Sequence, residues 1–118
     1  MPPGPPGASD APTPPLSGLR VVDLSTWIAG SYCTKLLADG GAEVMKVEPP
    51  AGDPLRRWSA SGAEISPDSD GALFNFLGAS KRSVVVDPSS DGDLASLQAL
   101  LASADAVVWS RGSAVAGH

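Results

Sequence analysis

The sequence predicts an α/β fold in which part of a doubly wound parallel sheet is flanked by helices. Two short apolar runs, residues 19–24 and 42–47, enclose a segment with helical periodicity, and the same order of elements recurs over residues 83–109. A strand–helix–strand unit of about 30 residues makes its two strands parallel through a right-handed crossover. A chain of 118 residues has room for one small domain, so the two units are expected to share one sheet.

The first unit opens with a predicted strand at residues 19–24, which are rich in the branched apolar residues of buried strands. The hydroxyls of Ser25 and Thr26 can cap the helix that follows. Gly-Gly at residues 40–41 ends that helix, because glycine readily adopts the left-handed backbone of a helix C-terminus. Apolar residues at helical spacing predict the buried face of the helix: Ala29, Tyr32, Cys33, Leu36 and Leu37.

The second unit has a predicted strand at residues 83–87, a helix capped by Ser90 or Asp91, and a strand at residues 106–109. Its helix has an apolar stripe formed by Leu94, Leu97, Leu100 and Leu101. The long Pro- and Gly-rich segment between the units is typical of functional segments and contains one or two predicted helical turns at residues 72–77.

The N-terminal residues 1–15 contain seven prolines and are predicted to be a disordered or polyproline-II tail, ahead of a domain at residues 16–118. No run approaches the roughly 20 apolar residues of a membrane span, so no membrane partner is expected. The start of the chain also lacks the basic region and apolar core of a secretory signal. The sequence therefore favours a cytoplasmic protein.

The composition excludes several functional classes. Thirteen acidic residues against eight basic ones disfavour a nucleic-acid surface, which needs clustered positive charge. The single Cys33 excludes an internal disulfide and a Cys-rich zinc site, and His118 is the one imidazole, so no metal site is predicted. The chemistry that remains uses carboxylates, hydroxyls or a bound cofactor.

Doubly wound sheets bind ligands at the carboxyl ends of their strands. Four segments lie at such ends, namely residues 25–30, 48–52, 87–90 and 110–112. The loop after the first strand lacks the three spaced glycines of a dinucleotide site, and no phosphate loop of the Walker type occurs. A site for NAD or a nucleoside triphosphate is thus disfavoured, although a pocket for another nucleotide stays possible.

Several side chains near these ends allow two interpretations. Asp23 could be a buried base, but acceptance of hydrogen bonds from neighbouring backbone N–H groups is favoured. Glu48 could bind a ribose hydroxyl or be a solvated surface residue. The basic pairs at residues 56–57 and 81–82 could bind phosphate. For residues 56–57 a solvated loop pair is the commoner case. For residues 81–82 a phosphate ligand and a generic charged pair are equally favoured. Packing is the simplest role for four further residues: Trp27, Cys33, Trp58 and Trp109.

Seven blocks of the sequence follow one another in a characteristic order. They are LSGLRVVDLS at residues 16–25, Ala29-Gly30, LLADGGAEV at residues 36–44, KVEP at residues 46–49, KRSV at residues 81–84, Asp87, and ADAVV at residues 104–108. Together they resemble the N-terminus of family III CoA-transferases, a family that includes α-methylacyl-CoA racemases. The resemblance extends over residues 16–112.

The resemblance implies a protein that binds coenzyme A on a Rossmann-like large domain. Transferases of this family move coenzyme A between an acyl-CoA and a carboxylic acid, and an aspartate carries it as an aspartyl-CoA thioester. Racemases of the family instead move a proton beside the thioester carbonyl, with an acid–base pair. Members form interlaced homodimers, which implies a second copy of the full-length chain as partner.

The resemblance also implies contacts with coenzyme A at nine positions: Ile28, Ala29, Pro49, Val86, Asp87, Pro88, Ser89, Ser110 and Arg111. Some members have a phosphate-binding Arg where this chain has Pro49. Several have Asn-Phe in place of residues 110–111, so here a stacking ring is lost and a cation is gained. The usual Asn before Lys81 is Ser80.

The catalytic aspartate of the family lies further along than His118, so no catalytic residue is predicted in this chain. The expected protein is the incomplete N-terminal portion of a family III CoA-transferase, inactive alone. Three alternatives stay open: a portion of an α-methylacyl-CoA racemase, a non-catalytic module for coenzyme A binding or dimerisation, and a domain that binds NAD or another nucleotide.

Overall fold

The computed structural model describes residues 12–117. The elements are β1 (Arg20–Asp23), α1 (Ile28–Asp39), β2 (Glu43–Glu48), a 3-10 turn (Pro54–Arg57), α2 (Ala72–Gly78), β3 (Arg82–Val85), α3 (Asp91–Ala102) and β4 (Ala106–Val108). The α/β class and all four predicted strands are confirmed, with strand boundaries within two residues of those predicted.

The four strands form one parallel sheet in the order β3-β2-β1-β4. The chain winds outward from β1 to β3 and then returns past β1 to add β4 on the other side. This reversal is the topological switch point of a Rossmann-like sheet, and ligands bind in the crevice beyond the carboxyl ends of the strands at such a point.

The sheet is packed on both faces because successive side chains of each strand point to opposite sides. On one face α3 packs against a cluster formed by Val22, Leu24, Val47, Val86, Leu97 and Val115. On the other face α1 packs against a smaller cluster formed by Val21, Ala38, Ala42 and Val44. A third cluster joins the 3-10 turn to α2 and contains Leu55, Phe74 and Leu77.

The prediction for the buried face of α1 is wrong except for Leu37, which packs against the core. The residues of α1 that the structure buries are Ser31, Thr34, Lys35 and Ala38. Tyr32, Cys33 and Leu36 from the predicted apolar stripe are exposed instead. The reason is that the sheet beneath α1 carries a buried Asp23, and Thr34 donates a hydrogen bond to its carboxylate. A buried charge needs polar partners more than the core needs another apolar side chain.

The helix ends follow the sequence only in part. Ser25 and Thr26 do not cap α1, which begins after Trp27 without a side-chain cap. The hydroxyl of Ser90 does cap α3, since it accepts a hydrogen bond from the backbone N–H of Asp93. Gly41 has a φ of 104°, which confirms the left-handed turn predicted after α1.

The three tryptophans are exposed, so the prediction that they serve packing is wrong. Trp27 lies in the loop between β1 and α1, and Trp109 directly follows the edge strand β4, where few residues are available to cover an indole.

Most of the predicted tail, residues 1–11, falls outside the described residues. The carbonyl of Pro14 accepts a hydrogen bond from the backbone N–H of Ser17. Within the described part of the chain, no helix combines the length and the apolar character needed to cross a bilayer.

Candidate functional site

The nine positions predicted to contact coenzyme A lie at or after the carboxyl ends of the strands. Residues 28–29 form the start of α1, Pro49 follows β2, residues 86–89 follow β3, and residues 110–111 follow β4. All nine therefore lie toward one edge of the sheet. The ends of β3 and β4 are three strand spacings apart, about 14 Å, so only an elongated ligand could contact both groups.

A cavity of about 130 Å³ lies between the ends of β1 and β2. Of the nine predicted residues, Pro49 alone lines it. The predicted strand-end segments 48–52 and 110–112 supply Gly52 and Gly112, which also line this cavity, whereas the lining residues 53–54 and 113–115 were not predicted. Gly52 and Gly112 have φ values of 80° and 82°, which are typical of glycines in tight turns. A cavity this small accommodates one group of a large ligand, since whole drug-sized ligands occupy about 300–1,000 Å³.

Ser110 connects the loops on either side of the switch point. Its Oγ accepts a hydrogen bond of 3.0 Å from the backbone N–H of Thr26, and the same hydroxyl lies 3.4 Å from the Thr26 carbonyl, to which it can donate. Ser110 therefore positions the loop that leads into α1. The neighbouring Arg111 is exposed and forms no ion pair within residues 12–117, so its guanidinium is available to an anion.

The turn between β3 and α3 is organised by Asp87. Its carboxylate accepts hydrogen bonds from the backbone N–H and the hydroxyl of Ser89, and these hydrogen bonds lower the pKa of Asp87. Val86 is buried in the core, and its N–H donates to the carbonyl of Glu48. A ligand could therefore contact Val86 only through its carbonyl group.

Asp23 is fully buried at the end of β1. One carboxylate oxygen accepts hydrogen bonds from the N–H and the hydroxyl of Ser25, and the other accepts one of 2.5 Å from Thr34 Oγ1. This confirms the interpretation that Asp23 accepts hydrogen bonds from its neighbours. With both oxygens occupied, the residue holds the β1–α1 loop in place rather than serving as a base.

Lys81 is not a solvated surface cation, so that interpretation from the sequence is wrong, and the phosphate interpretation stays a prediction. Its side chain is buried, and its ammonium group donates a hydrogen bond of 2.8 Å to the carbonyl of Ser31. Burial lowers the pKa of Lys81 to about 8, although the Asp23 carboxylate, 3.7 Å away, opposes that shift. Lys81 therefore ties the start of β3 to α1.

Glu48 is also buried, so the interpretation as a solvated side chain is wrong, while the role of ribose ligand stays a prediction. Arg56 binds it through two hydrogen bonds of 2.8 Å, and Ser83 and the N–H of Asp53 donate further ones. Burial alone would raise the pKa of Glu48, but these hydrogen bonds outweigh burial and lower it to about 2. Arg56 is consequently not part of a solvated loop pair, whereas Arg57 is exposed.

These pairings limit the chemistry that the site can perform. Two carboxylates line the cavity, Glu48 and Asp53. Glu48 is bound by Arg56, and Asp53 lies 2.7 Å from the ammonium group of Lys46 in a buried ion pair. Neither carboxylate is free to act as a nucleophile or base. Both carboxylates of the cavity are thus held by cations of the same chain.

Comparisons with known proteins agree with this description. Residues 16–116 match the sequence profile of CoA-transferase family III. The chain is 41% identical over 93 residues to a succinyl-CoA:mesaconate CoA-transferase of Haloarcula hispanica, covering 79% of this chain and 24% of that protein. It is 36% identical over 89 residues to a cinnamoyl-CoA:phenyllactate CoA-transferase of Clostridium sporogenes, covering 75% of this chain and 22% of that protein.

Solved structures show the same relationship. A CAIB/BAIF family protein from Brucella suis has a TM-score of 0.72 and 35% identity, covering 80% of this chain and 25% of that one. A hypothetical protein from Mycobacterium tuberculosis has a TM-score of 0.69 and 33% identity, with 82% and 25% covered. The chain spans about a quarter of the length of these relatives. Because the profile covers most of the sequence, this chain belongs to CoA-transferase family III.

Proposed function

We propose that this chain is the coenzyme A-binding, N-terminal portion of a family III CoA-transferase. The observation that carries the proposal is that the segments matched to the family's coenzyme A contacts lie toward the carboxyl edge of one parallel sheet. Open α/β sheets bind ligands at that edge. An elongated ligand is also what the separation between the ends of β3 and β4 requires.

Two features of this edge suit the phosphate groups of coenzyme A. The first turn of α1 begins at residues 28–29 without a side-chain cap or an acidic residue, so its backbone N–H groups stay available to an anion. Arg111 offers a guanidinium that can bind phosphate through two hydrogen bonds. The cavity beside Pro49 can hold one further group of the ligand, and the remainder would lie along the surface.

The reaction of the whole protein needs a carboxylate that this chain does not supply at the site. In the proposed reaction an aspartate attacks the acyl-CoA thioester, and a mixed anhydride forms as the CoA thiolate leaves. The thiolate then attacks the aspartyl carbonyl, which releases the first acid and leaves an aspartyl-CoA thioester for the acceptor acid. The relatives named above are CoA-transferases, which favours this reaction over racemisation.

Three features of the whole protein remain proposals. They are an interlaced homodimer, a cytoplasmic location, and a nucleophilic aspartate beyond residue 118. On this proposal the 118-residue chain binds coenzyme A but does not transfer it.

Calorimetric titration with coenzyme A, dephospho-coenzyme A and NAD tests the binding step. We expect coenzyme A to bind and NAD not to bind, with Arg111→Gln weakening coenzyme A roughly 3- to 10-fold, as expected for one charge-assisted hydrogen-bonding partner. Arg20→Gln is the matched control, because Arg20 is an exposed arginine at the amino end of β1, on the opposite edge of the sheet. Tighter binding of NAD than of coenzyme A, or no binding of either, would overturn the proposal.

An exchange assay tests the absence of catalysis. The purified chain is incubated with succinyl-CoA and a labelled carboxylic acid, and label in the acyl-CoA pool is measured. We expect no transfer above the protein-free background. Transfer that depends on this chain would show that the nucleophile lies within it.

A further inference from the structure

Two walls of the cavity between the ends of β1 and β2 come from different loops. One wall is formed by residues 24–26, which lead from β1 toward α1, and the other by residues 52–54, which follow β2. Beyond the paired strands themselves, no backbone hydrogen bond joins these two loops within residues 12–117. The separation of the two walls therefore depends on side chains.

Lys46, on β2, contacts both of these loops. Its ammonium group lies 2.7 Å from Oδ2 of Asp53 and 3.5 Å from the carbonyl oxygen of Ser25. The first contact is a buried ion pair, and the second is a long hydrogen bond in which the donor is charged. Lys46 does not itself line the cavity, so a group bound there would not touch it.

Both partners of Lys46 are anchored to the ends of their own strands. Ser25 donates hydrogen bonds from its backbone N–H and its hydroxyl to the carboxylate of Asp23. Asp53 donates its N–H to Glu48 over 2.8 Å, and its Oδ1 caps the 3-10 turn. Within the described residues, Lys46 is the one side chain that forms a hydrogen bond or ion pair with both loops.

The carboxylate of Asp53 depends on this contact. Its Oδ2 is buried and accepts no hydrogen bond within the described part of the chain, where Lys46 is the one cation paired with it. A buried charge without a partner is strongly unfavourable. The loop after β2 is therefore held to the ammonium group, which in turn is held to the loop after β1.

We propose that Lys46 is a positioning residue for the binding of coenzyme A, which fixes the separation of the two cavity walls through Asp53 and Ser25. This inference rests on the proposed function for the identity of the ligand, whereas the tether between the loops exists without ligand. A group that enters the cavity then meets walls that are already in place, and such preorganisation reduces the entropic cost of binding. Without the tether, part of the binding free energy would be used to order the loops.

A double substitution separates this positioning role from a purely structural one. Lys46→Met alone would leave Asp53 charged and unpaired, and the chain could fail to fold. Lys46→Met combined with Asp53→Asn removes both charges, and removal of a whole buried ion pair is often close to neutral for stability. The amide oxygen at position 53 can still cap the 3-10 turn. The matched control is Lys35→Met combined with Asp39→Asn, the same changes in an ion pair of 2.9 Å within α1.

Amide hydrogen exchange of the full 118-residue chain, measured by NMR without ligand, tests the tether. We expect the amides of Thr26 and Gly52, one in each loop, to exchange roughly 5-fold or more faster in the double variant at positions 46 and 53. The amides of Glu43 and Asp105, which are hydrogen-bonded at the opposite edge of the sheet, should not change, and the control pair should change none of the four. Unchanged exchange at Thr26 and Gly52 would overturn the proposal.

Calorimetric titration of the same variants with coenzyme A tests the consequence for binding. We expect the dissociation constant to rise roughly 5-fold or more in the double variant at positions 46 and 53, and to stay unchanged in the control pair. Wild-type affinity in that double variant would overturn the proposal, and so would a loss of affinity that urea denaturation attributes to a smaller folded fraction. A wild-type chain that does not bind coenzyme A would refute the proposed function instead, and hydrogen exchange would still decide whether Lys46 holds the two loops together.

Discussion

The orientation of α1 depends on a hydrogen bond that a single substitution can remove. Thr34→Val keeps the shape of the side chain but deletes the hydroxyl that donates to Asp23 over 2.5 Å. Both residues are fully buried, so water cannot replace the lost donor. Hydrogen bonds to charged groups contribute about 1.5–3 kcal/mol, and we expect Thr34→Val to lower the free energy of unfolding by that amount.

Urea denaturation followed by circular dichroism measures this loss. In a domain of this size a loss of 1 kcal/mol lowers the thermal midpoint of unfolding by roughly 4–8 °C. The loss expected for Thr34→Val should therefore lower the midpoint by roughly 6–24 °C. Thr13→Val is the matched control, since it is the same change at an exposed threonine, where surface substitutions usually stay within about 0.5 kcal/mol. An Asp23→Asn background should reduce the effect of Thr34→Val, because the two changes remove the same interaction.

A loss below about 0.5 kcal/mol for Thr34→Val, equal to that of the control, would refute the reasoning. It would mean that the buried carboxylate does not set which side of α1 faces the sheet.

Three further substitutions test separate parts of the structure. Ser80 has a φ of 67°, a left-handed conformation that asparagine tolerates better, so Ser80→Asn should raise the free energy of unfolding by about 0.5–1 kcal/mol in urea denaturation. Arg56→Gln removes the partner of the buried Glu48 and should lower the free energy of unfolding by about 2–3 kcal/mol. This is below the roughly 3–5 kcal/mol of fully buried pairs because Arg56 is partly exposed. Arg111→Gln, at an exposed arginine with no ion pair in residues 12–117, should stay within about 0.5 kcal/mol. The pKa of Lys81 is about 8 in the folded chain and 10.5 in the unfolded chain. Between these two pH values the unfolded state therefore binds more protons than the folded state. The free energy of unfolding should rise with pH across that window. Lys81→Met should remove that rise, and an unchanged pH dependence in this variant would contradict the assignment.

The sequence predicted the fold well because the evidence for a parallel α/β sheet is local. Branched apolar runs, a hydroxyl cap at Ser90 and a glycine turn at Gly41 each specify an element without knowledge of its neighbours. The same reasoning placed the candidate site at the carboxyl ends of the strands. What it could not place were the residues that meet only in three dimensions, such as Ser110 and Thr26, which are 84 positions apart.

The errors about charged side chains share one physical cause. The sequence patterns around Glu48, Arg56 and Lys81 predict ligands or solvated charges, yet the structure buries each of these side chains fully or in part against an opposite charge. A charge gives no sign in the sequence that its partner lies 8 or 58 residues away. Burial of such charges is compatible with folding only when hydrogen bonds satisfy them, and the carboxylates of Asp23 and Glu48 accept hydrogen bonds at both oxygens.

The same charges explain why a helix with an apolar stripe presents that stripe to solvent. In an isolated domain the stripe of α1 would be expected to face the core, because burial of apolar area is the dominant favourable term in folding. Here the sheet already contains Asp23 at the end of β1, with Lys81 beside it. The polar side of α1 supplies their partners through Thr34 and Ser31. The helix can satisfy the charges or bury the stripe, but not both, so Tyr32, Cys33 and Leu36 stay exposed in the described part of the chain.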